Sequence, residues 1–174
     1  VTTLLMIRHA PIVPPPRVTG RGDPACRLPD PIPAGPAADH VVASPARRCT
    51  ATAAALYPGR PIPTDPRLWE QDFGLWEGAE TPPDLGPLPR AALAVHRPPQ
   101  GESFADLIAR ARPALGALTG TTAVVAHAGT IRAGLALALT TPEDALAFHI
   151  APLSLTRIWT DGTDWAILSV NEPL

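Results

Sequence analysis

Lysine is absent from this 174-residue chain: all fourteen of its basic side chains are arginine. Any cationic pocket must therefore be built from guanidinium forks, planar donors that match the oxygens of phosphate or carboxylate. Cysteine is scarce. Cys26 and Cys49 alone cannot make a disulfide framework, and no Cys-x-x-Cys or Cys/His cluster points to structural zinc. The N-terminus lacks a positive n-region and its apolar stretch is too short for a secretory signal, so a cytoplasmic protein is expected. With a formal net charge of -2 and 45% hydrophobic residues, nothing marks the chain as disordered, membrane-spanning or strongly drawn to nucleic acid. No repeat or linker stands out, because the 24 prolines and 13 glycines sit between apolar runs. Residues 1–174 are expected to form a single domain.

The informative stretch is Leu4-Leu5-Met6-Ile7-Arg8-His9-Ala10. A continuous apolar run of this length fits a strand covered on both faces, as in a parallel sheet, with Arg8 and His9 at its carboxyl end. Ligands bind at that end in open α/β sheets. A lone Arg-His pair would be no more than a solvated strand end, so the reading depends on partners. Asp39–Ala43 is a second short strand, followed by Ser44-Pro45 and an Ala-rich helix to Leu56, with Ser44 expected as N-cap and Pro45 in the first helical position. Arg47 and Arg48 fall in that first turn, where the helix dipole disfavours cations unless an anion is nearby. They either face water or hold an anion.

Thr122–Ala126 is a third buried strand, and His127-Ala128-Gly129-Thr130 turns it into a helix from Ile131 to Leu139. Histidine again stands at a strand's carboxyl end. Between these junctions lies Leu68-Trp69-Glu70-Gln71-Asp72-Phe73-Gly74-Leu75-Trp76-Glu77-Gly78, in which Trp69, Phe73 and Trp76 are expected to cluster under a loop. Glu70, a carboxylate among large apolar rings, is a candidate general acid. A short helical piece near Arg90–Val95 precedes a clear helix to Leu118. Its start is marked by Ser103 and Asp106, a capping-box pair, and its apolar face recurs at Phe104, Leu107, Ile108, Ala111 and Leu115. Glu102 is either helix-start charge or a substrate contact. Leu155–Thr160 and Trp165–Val170 flank Asp161-Gly162 as an antiparallel hairpin. Its edge is a candidate surface for a homodimer. The tripeptide Arg21-Gly22-Asp23 carries no adhesion signal without a secretory context.

In chain order, Arg8-His9-Ala10, Ser44-Pro45-x-x-Arg48, Glu70-x-x-Phe73-Gly74-x-Trp76-Glu77-Gly78, Gly101-Glu102-Ser103 and His127-Ala128-Gly129-x-Ile131-Arg132 resemble the histidine phosphatase superfamily, also called the phosphoglycerate mutase-like family. The match spans nearly the whole chain. The resemblance implies a three-layer α/β/α sandwich with a mostly parallel central sheet, helices on both faces and a C-terminal antiparallel hairpin. It implies His9 as the nucleophile that takes the phosphoryl group, with Arg8, Arg48 and His127 gripping its oxygens and Glu70 as proton donor. Thr19, Gly20, Arg21 and Ala128 are implied as substrate ligands. No cofactor or metal is implied, and the partner is a small phosphorylated substrate.

Two departures from the family pattern bear on this. Ala10 replaces the usual glycine after the first histidine, and Pro11-Ile12-Val13-Pro14-Pro15-Pro16 replaces an acidic or polar run. The expected activity is that of a phosphomonoester hydrolase working through phosphohistidine, on a small metabolite such as α-ribazole phosphate or a sugar phosphate. A phosphohistidine protein phosphatase and a phosphoglycerate mutase are the enzymatic alternatives. The short segment between Gly78 and Gly101 leaves little material for a mutase lid. A degenerate module that binds phosphorylated ligands without turnover is the non-enzymatic one.

Overall fold

The computed structural model describes residues 1–13 and 17–174; Pro14–Pro16, the end of the proline-rich first loop, lie outside the described residues. In chain order the elements are β1 (Thr2–Arg8), β2 (His40–Ala43), α1 (Arg47–Leu56), α2 (Arg90–Val95), α3 (Phe104–Gly116), β3 (Gly120–Ala126), α4 (Ala128–Ala136), β4 (Ser154–Thr160) and β5 (Trp165–Pro173), with short 3-10 turns between them. The five strands form one sheet in the order β2-β3-β1-β4-β5. β1 pairs with β3 and β2 with β3 in parallel, whereas β4 runs antiparallel to β1 and to β5.

The apolar run of β1 has two faces because successive side chains point to opposite sides of a strand. Leu4 and Met6 enter a core shared with Leu107, Leu115, Ile131 and Leu135 of α3 and α4. Leu5 and Ile7 enter the other, with Val41, Cys49 and Ala53 of β2 and α1. The sandwich expected from the sequence is thus the fold observed. α4 lies so close to β1 that a Cβ at Gly134 would come within 2.6 Å of the Met6 sulfur. Among the described residues no helix is long and apolar enough to cross a membrane.

The register aligns the three parallel strands so that they end together: Arg8 faces Ala126, and Ala43 faces Val125. The ladder continues past the strand ends, with His9 N–H donating to Ala126 O at 3.0 Å and Ser44 N–H to Val125 O at 3.0 Å. His9, Ser44 and His127 therefore leave the sheet side by side.

Several element ends differ from expectation. The helix after Ser44 begins at Arg47, with Ala46 in the N-cap position and no side-chain cap from its own segment. Asp23 substitutes for it: its carboxylate accepts the Arg47 N–H at 2.9 Å and stands 3.8 Å from the Arg48 guanidinium. The carboxylate of the Arg-Gly-Asp tripeptide is thus the anion at this helix start. α4 begins three residues early, directly after His127, and α3 ends two residues short of Leu118. The Ser103/Asp106 capping box is formed as the sequence indicates.

Candidate active site

His9 is buried, 6% exposed, and its Nδ1 lies 2.7 Å from its neighbour's carbonyl, Ala10 O. A carbonyl can only accept, so Nδ1 carries the proton and the neutral ring keeps its lone pair on Nε2. Burial, with Arg48 and Arg8 adding repulsion, brings the His9 pKa down to about 4 against the opposing bond to Ala10. The result is an unprotonated, singly oriented imidazole. Ala10 fits without strain, since it is not among the residues with positive φ, and its N–H donates to Thr52 Oγ1 at 3.0 Å. The freedom of glycine is not needed here.

His9 lines a cavity of about 400 Å³ together with Arg8, Arg17, Thr19, Arg48 and Glu70. Three guanidinium groups and one carboxylate around one imidazole suit a dianion with a departing oxygen. Arg8 is held by a bond from Nη1 to Ile150 O, and Arg48, 1% exposed, donates to Gly22 O at 2.7 Å and to Gly20 O at 3.0 Å. The Nε atoms of both are buried without a partner among the described residues. Of the two arginines opening α1, Arg48 is thus the inward one, while Arg47 is exposed.

His127 stands behind this wall rather than on it. Its ring centroid is 5.2 Å from that of His9 and its plane stacks on Trp69 at 7°. Arg48 Nη2 lies 3.2 Å from His127 Nδ1, and because arginine only donates, Nδ1 must accept. Nε2 then carries the proton and donates to Ser44 Oγ at 2.8 Å. Both ring nitrogens are engaged, so His127 here orients Arg48 and does not itself reach into the cavity. Ser44, expected to cap α1, is instead the outer end of this relay. Burial, then the charges of Arg48 and a protonated His9, hold His127 well below the usual histidine range.

These two rings set an acid limit on stability. Each has its folded pKa depressed below the usual 6.5, so the stability it contributes is complete above about pH 6.5 and is lost as pH falls through the folded value, about 4 for His9. Urea unfolding is expected to show a free energy that drops by up to about 1.4 kcal/mol per pH unit for each ring in that window. A value flat from pH 6.5 to 4.5 would mean the rings titrate normally.

Glu70 is placed by donors rather than by the aromatic rings expected from sequence. Its carboxylate accepts N–H bonds from Gln71 and Gly129, each at 3.0 Å. The second of these caps α4 at its second residue. Arg110 braces the same loop from α3, donating to Arg67 O, Trp69 O and Glu70 O and gripping both Glu102 oxygens at 2.8 Å. Glu102 also accepts the Asp72 N–H at 3.1 Å, so it is part of this brace. The glycine after His127-Ala128 has a steric reason: a Cβ at Gly129 would stand 2.1 Å from Glu70 Oε1. Gly129→Ala should displace that carboxylate and lower kcat on the order of tenfold, less than the 10²-fold that a misplacement of about 1 Å can cost. Unchanged kcat would show that the position of Glu70 is immaterial.

The remaining expected ligands divide. Thr19 lines the cavity, its hydroxyl donating to Arg17 O at 2.9 Å. Gly20 and Arg21 present their N–H groups to Glu77, at 3.0 and 2.8 Å, and Gly22 adds a third at 3.3 Å. That backbone nest is therefore filled by a carboxylate of the protein itself. The Arg21 guanidinium lies over Trp69, 5.8 Å from the ring, and 3.6 Å from Glu102. Ala128 is the first residue of α4, and its side chain packs against the core. Arg17, Glu77 and Arg110 are functional neighbours that sequence reading missed. Glu77 lay within the quoted Trp-Glu-Gly block, whereas nothing distinguishes Arg110 from any other helical arginine. The expected aromatic cluster is divided: Trp69 joins His127, while Trp76 stacks on His96 at 5.4 Å. Among the described residues no group of three or more His, Cys, Asp or Glu comes together as a metal site.

The family described as "Histidine phosphatase superfamily (branch 1)" matches residues 29–173. The chain belongs to this superfamily. Its curated relatives include a bifunctional protein of Mycobacterium tuberculosis and an uncharacterized protein of Mycobacterium bovis, each 32% identical over 98% of this chain and 54% of its own length. The chain thus spans about half the length of the curated relatives it matches. Among solved structures, a mycobacterial glucosyl-3-phosphoglycerate phosphatase superposes with a TM-score of 0.79 at 25% identity, covering 99% of both chains. A putative alpha-ribazole-5'-P phosphatase of Escherichia coli shares the fold with a TM-score of 0.75 at 19% identity, covering 98% of this chain and 96% of its own.

Proposed function

We propose that the protein hydrolyses a phosphomonoester of a small metabolite through a phosphohistidine formed on His9, without a metal ion. The observation that carries this reading is the state of His9: neutral, with Nδ1–H tied to Ala10 O and Nε2 bearing the lone pair in a cavity of arginines. Nε2 attacks phosphorus as the bond to the ester oxygen breaks, and Glu70, which enters the step as the carboxylic acid beside the bound phosphate dianion, gives that oxygen its proton and is left as the carboxylate. Water then attacks the phosphohistidine, giving its proton to Glu70, and inorganic phosphate leaves as His9 regains its lone pair. Arg8, Arg17 and Arg48 spread positive charge over the equatorial oxygens, the stabilisation that phosphoryl transfer chiefly needs. His127 and Ser44 hold Arg48 in place for this.

With three guanidinium groups supplying the charge, turnover should persist in excess chelator. The experiment is release of inorganic phosphate from an aryl phosphate by the purified protein, with and without that chelator. Equal rates are expected. Binding without phosphate release would overturn the hydrolase reading, and loss of activity in chelator would overturn its independence of metal.

A further inference from the structure

A second cavity of about 510 Å³ adjoins the one that holds His9, and the two share Thr19 and Glu70 as walls. The leaving oxygen, at Glu70, would stand at the mouth between them. The outer cavity is apolar, lined by Phe73, Trp76, Leu85, Leu93, Phe104 and Leu146. Its polar groups are few and partly engaged. The Thr19 hydroxyl donates to Arg17 O, Gln71 Nε2 to Glu102 O at 2.7 Å and Arg132 Nε to Phe148 O at 2.9 Å. One group is unsatisfied: His96, stacked on Trp76 at 17°, lines this cavity with its Nε2 buried and unpartnered among the described residues.

The geometry points to a substrate whose alcohol carries a flat, largely apolar ring system, seated against the stacked rings of Trp76 and His96. This rests on the phosphatase reading and adds the class of the leaving group. A volume of this size accommodates a bicyclic ring, and the parallel faces of Trp76 and His96 offer a third ring an offset stack. A polyhydroxylated sugar would lay most of its hydroxyls against apolar walls, with polar partners mainly toward Glu70, Gln71 and Arg132. The glucosyl ester named for the mycobacterial structural relative is therefore a poor fit for this chain.

The test compares two esters of primary alcohols, 2-naphthylmethyl phosphate and ribose 5-phosphate, which present the same phosphate and similar leaving oxygens. Binding is measured by calorimetry on His9→Ala, so that the answer does not depend on turnover. The naphthyl ester is expected to bind at least tenfold more tightly, and Trp76→Leu or Trp76→Ala in that background should reduce the advantage to within threefold. Equal or reversed affinities, or an advantage untouched by both Trp76 variants, would overturn the inference. If the naphthyl ester binds with this preference yet the parent protein releases no phosphate from either ester, the hydrolase reading fails while the cavity assignment stands.

Discussion

His9→Ala should reduce phosphate release by on the order of a million-fold, the size of effect expected when the nucleophile of a covalent mechanism is removed. The alternative role for this imidazole is electrostatic, as one more cation around the phosphate, and the structure argues against it. Burial and two nearby arginines hold the ring neutral down to about pH 4. The bond from Nδ1 to Ala10 O also fixes which nitrogen is free to attack. A neutral hydrogen-bonding residue would cost far less on removal, about 10²- to 10³-fold. The two roles are separable by trapping. Enzyme quenched during turnover should carry one phosphoryl group that survives base and is lost in acid, as expected of a P–N bond, and His9→Ala should carry none. Activity within a hundredfold of the parent, or label retained in the variant, would place the nucleophile elsewhere. Because the removed ring is buried, thermal unfolding of the variant must show an intact fold before the loss is assigned to chemistry.

What the sequence made legible was whatever is local or set by strand register. The apolar run before Arg8 fits a doubly covered strand, and the parallel ladders that it forms bring His9, Ser44 and His127 to one edge. The Ser103/Asp106 box is likewise a contact within four residues, and it formed as expected. The errors lie where a side chain had two possible partners. Ser44 has the right position for an N-cap, but a ring nitrogen 83 residues away claims its hydroxyl, and Asp23 takes the cap instead. Gly20 and Arg21 are substrate ligands only by the resemblance; in the structure their N–H groups converge on Glu77, a contact 56 to 57 residues away that no local pattern announces. Arg110 was invisible for the same reason: its partners are carbonyls of a loop some forty residues earlier, and no periodicity reveals them. Of the residues implied by the resemblance, Arg8, His9, Thr19, Arg48 and Glu70 line one cavity, but the resemblance did not foresee that His127 would meet Arg48 and Ser44 with both of its nitrogens.

Glu70→Gln is expected to have the second largest effect, and its size should depend on the ester. With an alkyl phosphate the departing alkoxide needs a proton, and removing the donor should lower kcat by about 10²- to 10⁴-fold, the usual range for a general acid. With 4-nitrophenyl phosphate the departing phenolate is stable unprotonated, so phosphorylation of His9 should be nearly unaffected. Hydrolysis of the phosphohistidine still requires that water lose a proton, and that step retains the defect. The variant should therefore release one nitrophenolate per active site in a burst and then turn over slowly. Such a burst would show the same carboxylate acting on both half-reactions. Gln has one acceptor oxygen where the carboxylate has two, so either the Gln71 or the Gly129 N–H loses its partner, at a cost of about 1 to 3 kcal/mol in stability. A lowered melting temperature is consequently expected alongside the kinetic change and does not explain it, since unfolding would slow both esters alike. Equal losses for the two esters with no burst would remove Glu70 from proton transfer and leave it only as the cap that holds the start of α4.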